Sequence, residues 1–187
     1  MAQFVLLIVV LVGTLAASPL YRREDWPHWA QSERVGCGTV RHEVLIRDST
    51  RQHEVAEVKQ CDVSLGTWID PYSKTELVDL RVIDVDHVVP LRWAALHGGA
   101  AWGVDRRRAY ANDVSYSGHL LAVSASLNRQ KGARGPAAWR PPNPGAWCGY
   151  ALRWTAILVV WELRPGDDDR EALRTMLATC GKGGLPE

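Results

Sequence analysis

The sequence predicts an α+β domain, with β-strands in its N-terminal half, helices in its C-terminal half and disulfides stabilising it. Three observations predict this. The run from Thr75 to Val85 alternates with strand periodicity and ends at Asp86-His87. Trp147, Ala151, Trp154, Ile157 or Leu158, and Trp161 recur at helical spacing. Four cysteines lie in 187 residues, 47% of them apolar. That length and composition suit one domain with its own core and argue against a disordered chain.

Taken in order, residues 1–17 read as a secretory signal. Phe4 to Ala17 is an apolar run, shorter than the span of about 20 residues that crosses a bilayer. Small residues at Thr14, Ala16 and Ser18 fit cleavage after Ala16 or after Ser18. No Lys or Arg precedes the run, so a retained anchor is the alternative. Residues 18–187 are assigned to a single domain. Tyr21 to Trp29 is an aromatic, charged arm pinned by its tryptophans. Thr39 to Ile46 and Val55 to Val63 read as strands on either side of a polar turn. Gly66 to Ser73 is a scaffold turn, with Asp70-Pro71 favouring its start.

The strand Thr75 to Val85 then delivers Asp86 and His87 at its tip, and Pro90 stops it. Leu91 to His97 is a short helix ending at Gly98-Gly99. Val104 to Ala111 is a second helix, with Arg106 to Arg108 on its exposed side. Leu120 to Val123 is a short strand. Ser124 reads as the N-cap of a helix through Arg129, ended by Gly132. The tryptophan helix follows a proline-rich linker, and Asp167 to Asp169 cap a last helix from Arg170 to Thr179. The four cysteines fit an oxidising compartment, and the lack of a Cys-x-x-Cys pair argues against structural zinc. Four cysteines allow three connectivities. Cys37–Cys61 with Cys148–Cys180 is expected, because each closes a loop within one half of the chain.

The chemistry gathers between Asp84 and Lys131. A carboxylate, an imidazole and an amide oxygen there suit one hard cation and one activated water, the parts of a metal-dependent phosphodiesterase. Net charge is +1, yet from Arg106 to Trp161 eight Arg and Lys face Asp113 alone. A local excess of that kind suits a polyanion.

Three blocks carry a resemblance: Asp84-Val-Asp-His-Val-Val-Pro-Leu91, Tyr110-Ala-Asn-Asp113, and His119 to Gly132 with its Leu-Asn-Arg-Gln-Lys-Gly ending. Gly66-Thr-Trp-Ile-Asp-Pro-Tyr72 and Cys148-Gly-Tyr-Ala151 add to it. The chain resembles the ββα-metal nucleases of the HNH family, over roughly Tyr21 to Cys180. The match is to the branch of secreted nucleases related to the C-terminal domain of GmrSD-type restriction enzymes.

The resemblance implies a ββα-metal core and a set of roles. Asp86 and Asn128 would ligate one divalent cation, magnesium or manganese. His87 would be the general base. Arg129, Lys131 and Arg108 would grip substrate, Lys131 on a phosphate. The family's middle Asn is His119 here and its final His is Asn128, so His119 is either a brace for the base or a further ligand. Asp84 either orients His87 or faces solvent. The implied activity is a secreted endonuclease of low sequence specificity, acting chiefly on DNA through its phosphates, with RNA kept open. A monomer without stable membrane association after signal cleavage is expected. The alternative is a non-catalytic extracellular domain that binds nucleic acid or another polyanion; a zinc hydrolase of another class is a third reading.

Overall fold

A computed structural model describes residues 21–36, 38–50, 63 and 66–181. The signal segment, most of the expected strand Val55 to Val63, and the expected Cys37–Cys61 pair lie outside the described residues. Within them the chain is mixed α and β, with two small sheets.

The first expected strand is instead a helix, α1, Val40–Asp48. Its valines and isoleucine favour strands when taken singly. Val40, Val44 and Leu45 nevertheless fall on one helical face and are buried together. Thr39 starts the helix, its N–H donating to His42 Nδ1 at 3.1 Å. Two two-residue strands follow, β1 (Trp68–Ile69) and β2 (Glu76–Leu77), paired antiparallel. The expected strand from Thr75 to Val85 is therefore broken. Asp79 accepts from Arg81 N at 2.9 Å and folds Leu80–Val82 into a 3-10 turn, a local bond that competes with the strand ladder.

The regular strand begins at β3, Ile83–His87, and pairs antiparallel with β4, Leu120–Ser124. The register runs from Ile83 opposite Ser124 to His87 opposite Leu120. Between them lie α2 (Leu91–Leu96) and α3 (Val104–Ala111), close to their expected bounds. The chain turns from β4 directly into α4, Ala125–Lys131. Ser124 stands at the N-cap, but its side chain makes no cap bond, and Gly132 closes the helix at φ 53°, a conformation glycine adopts without a Cβ penalty.

The β3–β4 ribbon is covered on both faces. Ile83, Val85, Leu120 and Ala122 meet α1. Leu121 and Val123 enter the larger core, built on α2, α3 and the tryptophan helix α5, Trp147–Val160. In α5, Tyr150, Ala151, Trp154, Ile157 and Leu158 are buried, so the tryptophan stripe is core packing. The last helix, α6, runs Asp167–Leu177, with the three aspartates inside its first turn rather than ahead of it.

Cys148 and Cys180 are disulfide-bonded, as expected, and join the start of α5 to the segment after α6. A loop closed over 32 positions stabilises by about 3–4 kcal/mol on the chain-entropy account. The N-terminal arm is anchored as well: Trp26 is buried against Trp102 and Tyr110. Asn112 clamps the arm, accepting from Ala30 N at 2.7 Å and donating to Pro27 O at 2.8 Å.

Candidate active site

Alternation along β3 puts Asp84 and Asp86 on the ribbon face that meets α4, and His87 on the other. On α4, Asn128 and Lys131 are three apart and share one side. Two rungs result. Asn128 Nδ2 donates to Asp84 Oδ2 at 3.1 Å. Lys131 Nζ donates to Asp86 Oδ1 at 2.8 Å and to the His87 carbonyl at 2.9 Å. Tyr72 completes the second rung, its hydroxyl donating to Asp86 Oδ2 at 2.6 Å.

Two expected roles change here. Lys131 has 0% side-chain exposure, so it does not reach a phosphate. Its stem points into the helix–strand interface, and its charge is taken up by Asp86. Burial raises the Asp86 carboxyl and lowers the Lys131 ammonium, each against the pull of the partner charge. Asp84 neither orients His87 nor stands alone in solvent; it holds the Asn128 amide.

His87 is buried at 7% exposure, and its Nε2 lies 2.9 Å from the Ala111 carbonyl. A carbonyl only accepts, so Nε2 carries the hydrogen and Nδ1 keeps a lone pair. Ala111 ends α3, where the last carbonyls have no partner within the helix. Burial, then the neighbouring His119, push His87 down to about 3. The imidazole is thus neutral across the neutral range.

His119 lies behind it, 6.2 Å away ring to ring, wedged against Tyr110 at 4.7 Å. Its ring nitrogens make no hydrogen bond among the described residues, and burial lowers it to about 4. Its backbone carbonyl takes Val88 N at 3.1 Å, extending the ribbon one step past His87.

Asp86, His87 and Asn128 border one cavity of about 320 Å³. Arg129 is exposed on α4, and Arg108 is exposed on α3; neither borders the cavity. The helix α3 meets His87 at its C-terminal end, through the Ala111 carbonyl, and Arg108 lies outside that contact. Two other arginines do border the cavity, Arg23 on the arm and Arg92 in α2, and Tyr21 lines it with them. Sequence reasoning passed over both. The available signal for Arg92 was its place directly after Pro90-Leu91, where the chain leaves the Asp-His strand end. Tyr72 ends the Gly66–Tyr72 block, but nothing local assigns it to Asp86, which it meets across the fold.

The two histidines carry a stability consequence. Both are depressed in the fold from 6.5, His87 to about 3 and His119 to about 4. Their neutral forms stabilise fully above pH 6.5, and this is lost as pH falls toward the folded values. The slope is about 1.4 kcal/mol per pH unit for each group; Asp86, whose carboxyl burial raises, offsets part of it. Thermal melts at pH 7, 5.5 and 4 are expected to show a progressive fall. A Tm constant over that range would refute neutral, buried histidines.

The comparisons with known proteins are sparse. No protein-family model matches the chain, and no solved structure matches it. An uncharacterized secreted protein of Arthroderma benhamiae is 36% identical over 160 residues, 86% of this chain and 76% of that one. No described helix is long and apolar enough to cross a membrane. The protein is secreted, and the chain belongs to the same family as the Arthroderma benhamiae secreted protein.

Proposed function

We propose that the protein is a metal-dependent endonuclease of the HNH type, hydrolysing phosphodiester bonds of DNA with low sequence specificity. The observation that carries the reading is the placement of His87. A neutral imidazole is held through Nε2 by the Ala111 carbonyl and borders a cavity shared with Asp86 and Asn128. The order strand, antiparallel strand, helix over Ile83–Lys131 supports it, since it resembles the ββα arrangement of that family.

The donors fit a hard divalent cation. Asp84 takes the Asn128 amide N–H, which leaves the Asn128 carbonyl oxygen as a ligand. Asp86 receives one hydrogen bond on each oxygen, and a carboxylate has about four acceptor sites. Asn128 and Asp86 would therefore hold magnesium or manganese at the cavity, an oxygen set typical of these ions. When bound, the cation supplies a Lewis acid for the phosphoryl and departing oxygens.

His87 accepts the proton of an attacking water on Nδ1. Its Nε2–H stays on the Ala111 carbonyl, so the ring keeps one orientation and one tautomer. Burial makes the resting imidazole a weak base, and an anionic phosphodiester brought beside it raises it. Lys131, bonded to both the Asp86 carboxylate and the His87 carbonyl, sets a ligand and the base relative to each other.

The test is plasmid degradation by pure protein with magnesium or manganese, with and without EDTA. Nicking and fragmentation that EDTA stops are expected. Salt-sensitive binding without cleavage under any divalent ion would replace the nuclease reading with a non-catalytic polyanion-binding one.

A further inference from the structure

Arg23 and Arg92 enter the site from different parts of the chain. Arg92 lies in α2, just past the strand that carries His87; Arg23 lies in the N-terminal arm. Both border the cavity that holds Asp86, His87 and Asn128, and Tyr21 lines it with them. Among the described residues the only carboxylate lining that cavity is Asp86, and each of its oxygens takes one hydrogen bond, from Lys131 and from Tyr72. Arg92 makes no hydrogen bond or ion pair with any described residue. Arg23 spends one donor on His28, its Nη2 lying 3.1 Å from Nε2, and a guanidinium has five. His28 in turn is fixed through Nδ1, 3.0 Å from the Trp26 carbonyl. The three groups line one cavity; burial raises the Tyr21 hydroxyl, Arg23 and Arg92 act against that rise, and Glu24 adds to it.

This assembly is cationic and donor-rich. The arm that carries Tyr21 and Arg23 is anchored by buried Trp26 and by the Asn112 clamp. Planar guanidinium forks match phosphate oxygens in pairs, and a tyrosine hydroxyl adds one more donor. We infer that Tyr21, Arg23 and Arg92 form a phosphate-binding subsite of the cavity, which holds a backbone phosphate of the nucleic acid beside the reacting bond. The inference rests on the nuclease reading for its substrate class. The subsite explains how the chain grips a polyanion when Lys131 is buried and Arg108 lies elsewhere, and it makes the N-terminal arm part of the active site.

The experiment uses the mature secreted protein in EDTA, where nothing is cut. Binding of a fluorescein-labelled single-stranded oligonucleotide is followed by anisotropy over a range of salt. Arg92→Ala and Arg23→Ala are each expected to weaken binding about tenfold. Each should also reduce the slope of log affinity against log salt by about 1. Inorganic phosphate should compete less well with the oligonucleotide in the variants than in the wild type. Arg174→Ala, an exposed residue of α6 paired with Glu171 and away from the cavity, should change neither quantity. With magnesium restored, the two variants should raise KM and leave kcat near wild type.

Wild-type affinity and salt slope in both variants would overturn the subsite, while EDTA-sensitive cleavage by the same proteins would leave the nuclease reading standing. Equal losses in Arg174→Ala would overturn it too, by reducing the effect to bulk charge. Loss of binding in Arg92→Ala and Arg23→Ala, in a wild type that cuts nothing under any divalent ion, would support the subsite and end the nuclease reading. A wild type that fails to bind the oligonucleotide at low salt would end both.

Discussion

His87→Ala is expected to lose magnesium-dependent plasmid cleavage by a factor of about 10²–10⁴, the usual contribution of a positioned acid–base group. The substitution removes the Nδ1 lone pair that takes the proton of water, and no second imidazole replaces it. His119, the imidazole packed against His87, lies 6.2 Å away, but it is shut between Tyr110 and Trp161. Folding is affected less. The Ala111 carbonyl loses its donor, a change on the order of 1–3 kcal/mol for a buried acceptor. Circular dichroism and the Cys148–Cys180 bond should therefore persist while activity disappears. His87→Gln, which keeps a side-chain N–H for Ala111, should recover stability and stay inactive. Cleavage by His87→Ala at the wild-type rate would remove the proposed base and with it the mechanism.

The second large effect is on stability. Lys131→Met leaves the Asp86 carboxylate buried with only the Tyr72 hydroxyl as a partner. Removing one member of a buried ion pair typically costs about 3–5 kcal/mol, because the remaining charge is uncompensated. For a chain of this size that corresponds to a Tm fall of roughly 10–15 °C by calorimetry. The same variant frees the His87 carbonyl, so the tip of β3 is loosened where the base is held. Taking away all the polar partners at once, with Lys131→Met, Asp86→Leu and Tyr72→Phe together, should restore most of the lost stability, since an apolar replacement has no charge to strand. A Tm within a degree or two of wild type for Lys131→Met alone would mean the pair is not the buried bridge described.

How much of this was legible beforehand depended on the range of the interactions. The α3 and α4 helices, the β4 strand and the Cys148–Cys180 bridge carry local signals, such as periodicity, glycine stops and loop length. Thr39 to Ile46 misled because its β-branched residues satisfy both a strand and a helix. What decided it was the core offered by Ile83, Val85 and Leu120, far along the sequence. The Thr75 to Val85 alternation was real, but Asp79 and Arg81 closed a local turn that periodicity does not register. At the site, Asp86, His87 and Asn128 were named because they sit in recognisable blocks, and they do border one cavity. Lys131 was misassigned because a lysine near a carboxylate looks the same in sequence whether it faces solvent or the interior. Only the packing of α4 on β3 makes it interior. Tyr72 closes one of the blocks that carry the resemblance and Arg23 lies in the charged arm, but nothing in their neighbourhoods points at the residues that folding brings to them.

The lysine–carboxylate bridge also constrains how this family changes over time. Positions 86 and 131 stand 45 residues apart, yet neither tolerates a neutral replacement while the other keeps its charge. A lineage passing through either single change carries an unstable protein, so the two positions are inherited as one trait. Descendants that retain the fold should hold both residues or have exchanged both. A collection of relatives can be scored for that joint pattern without any assay of activity.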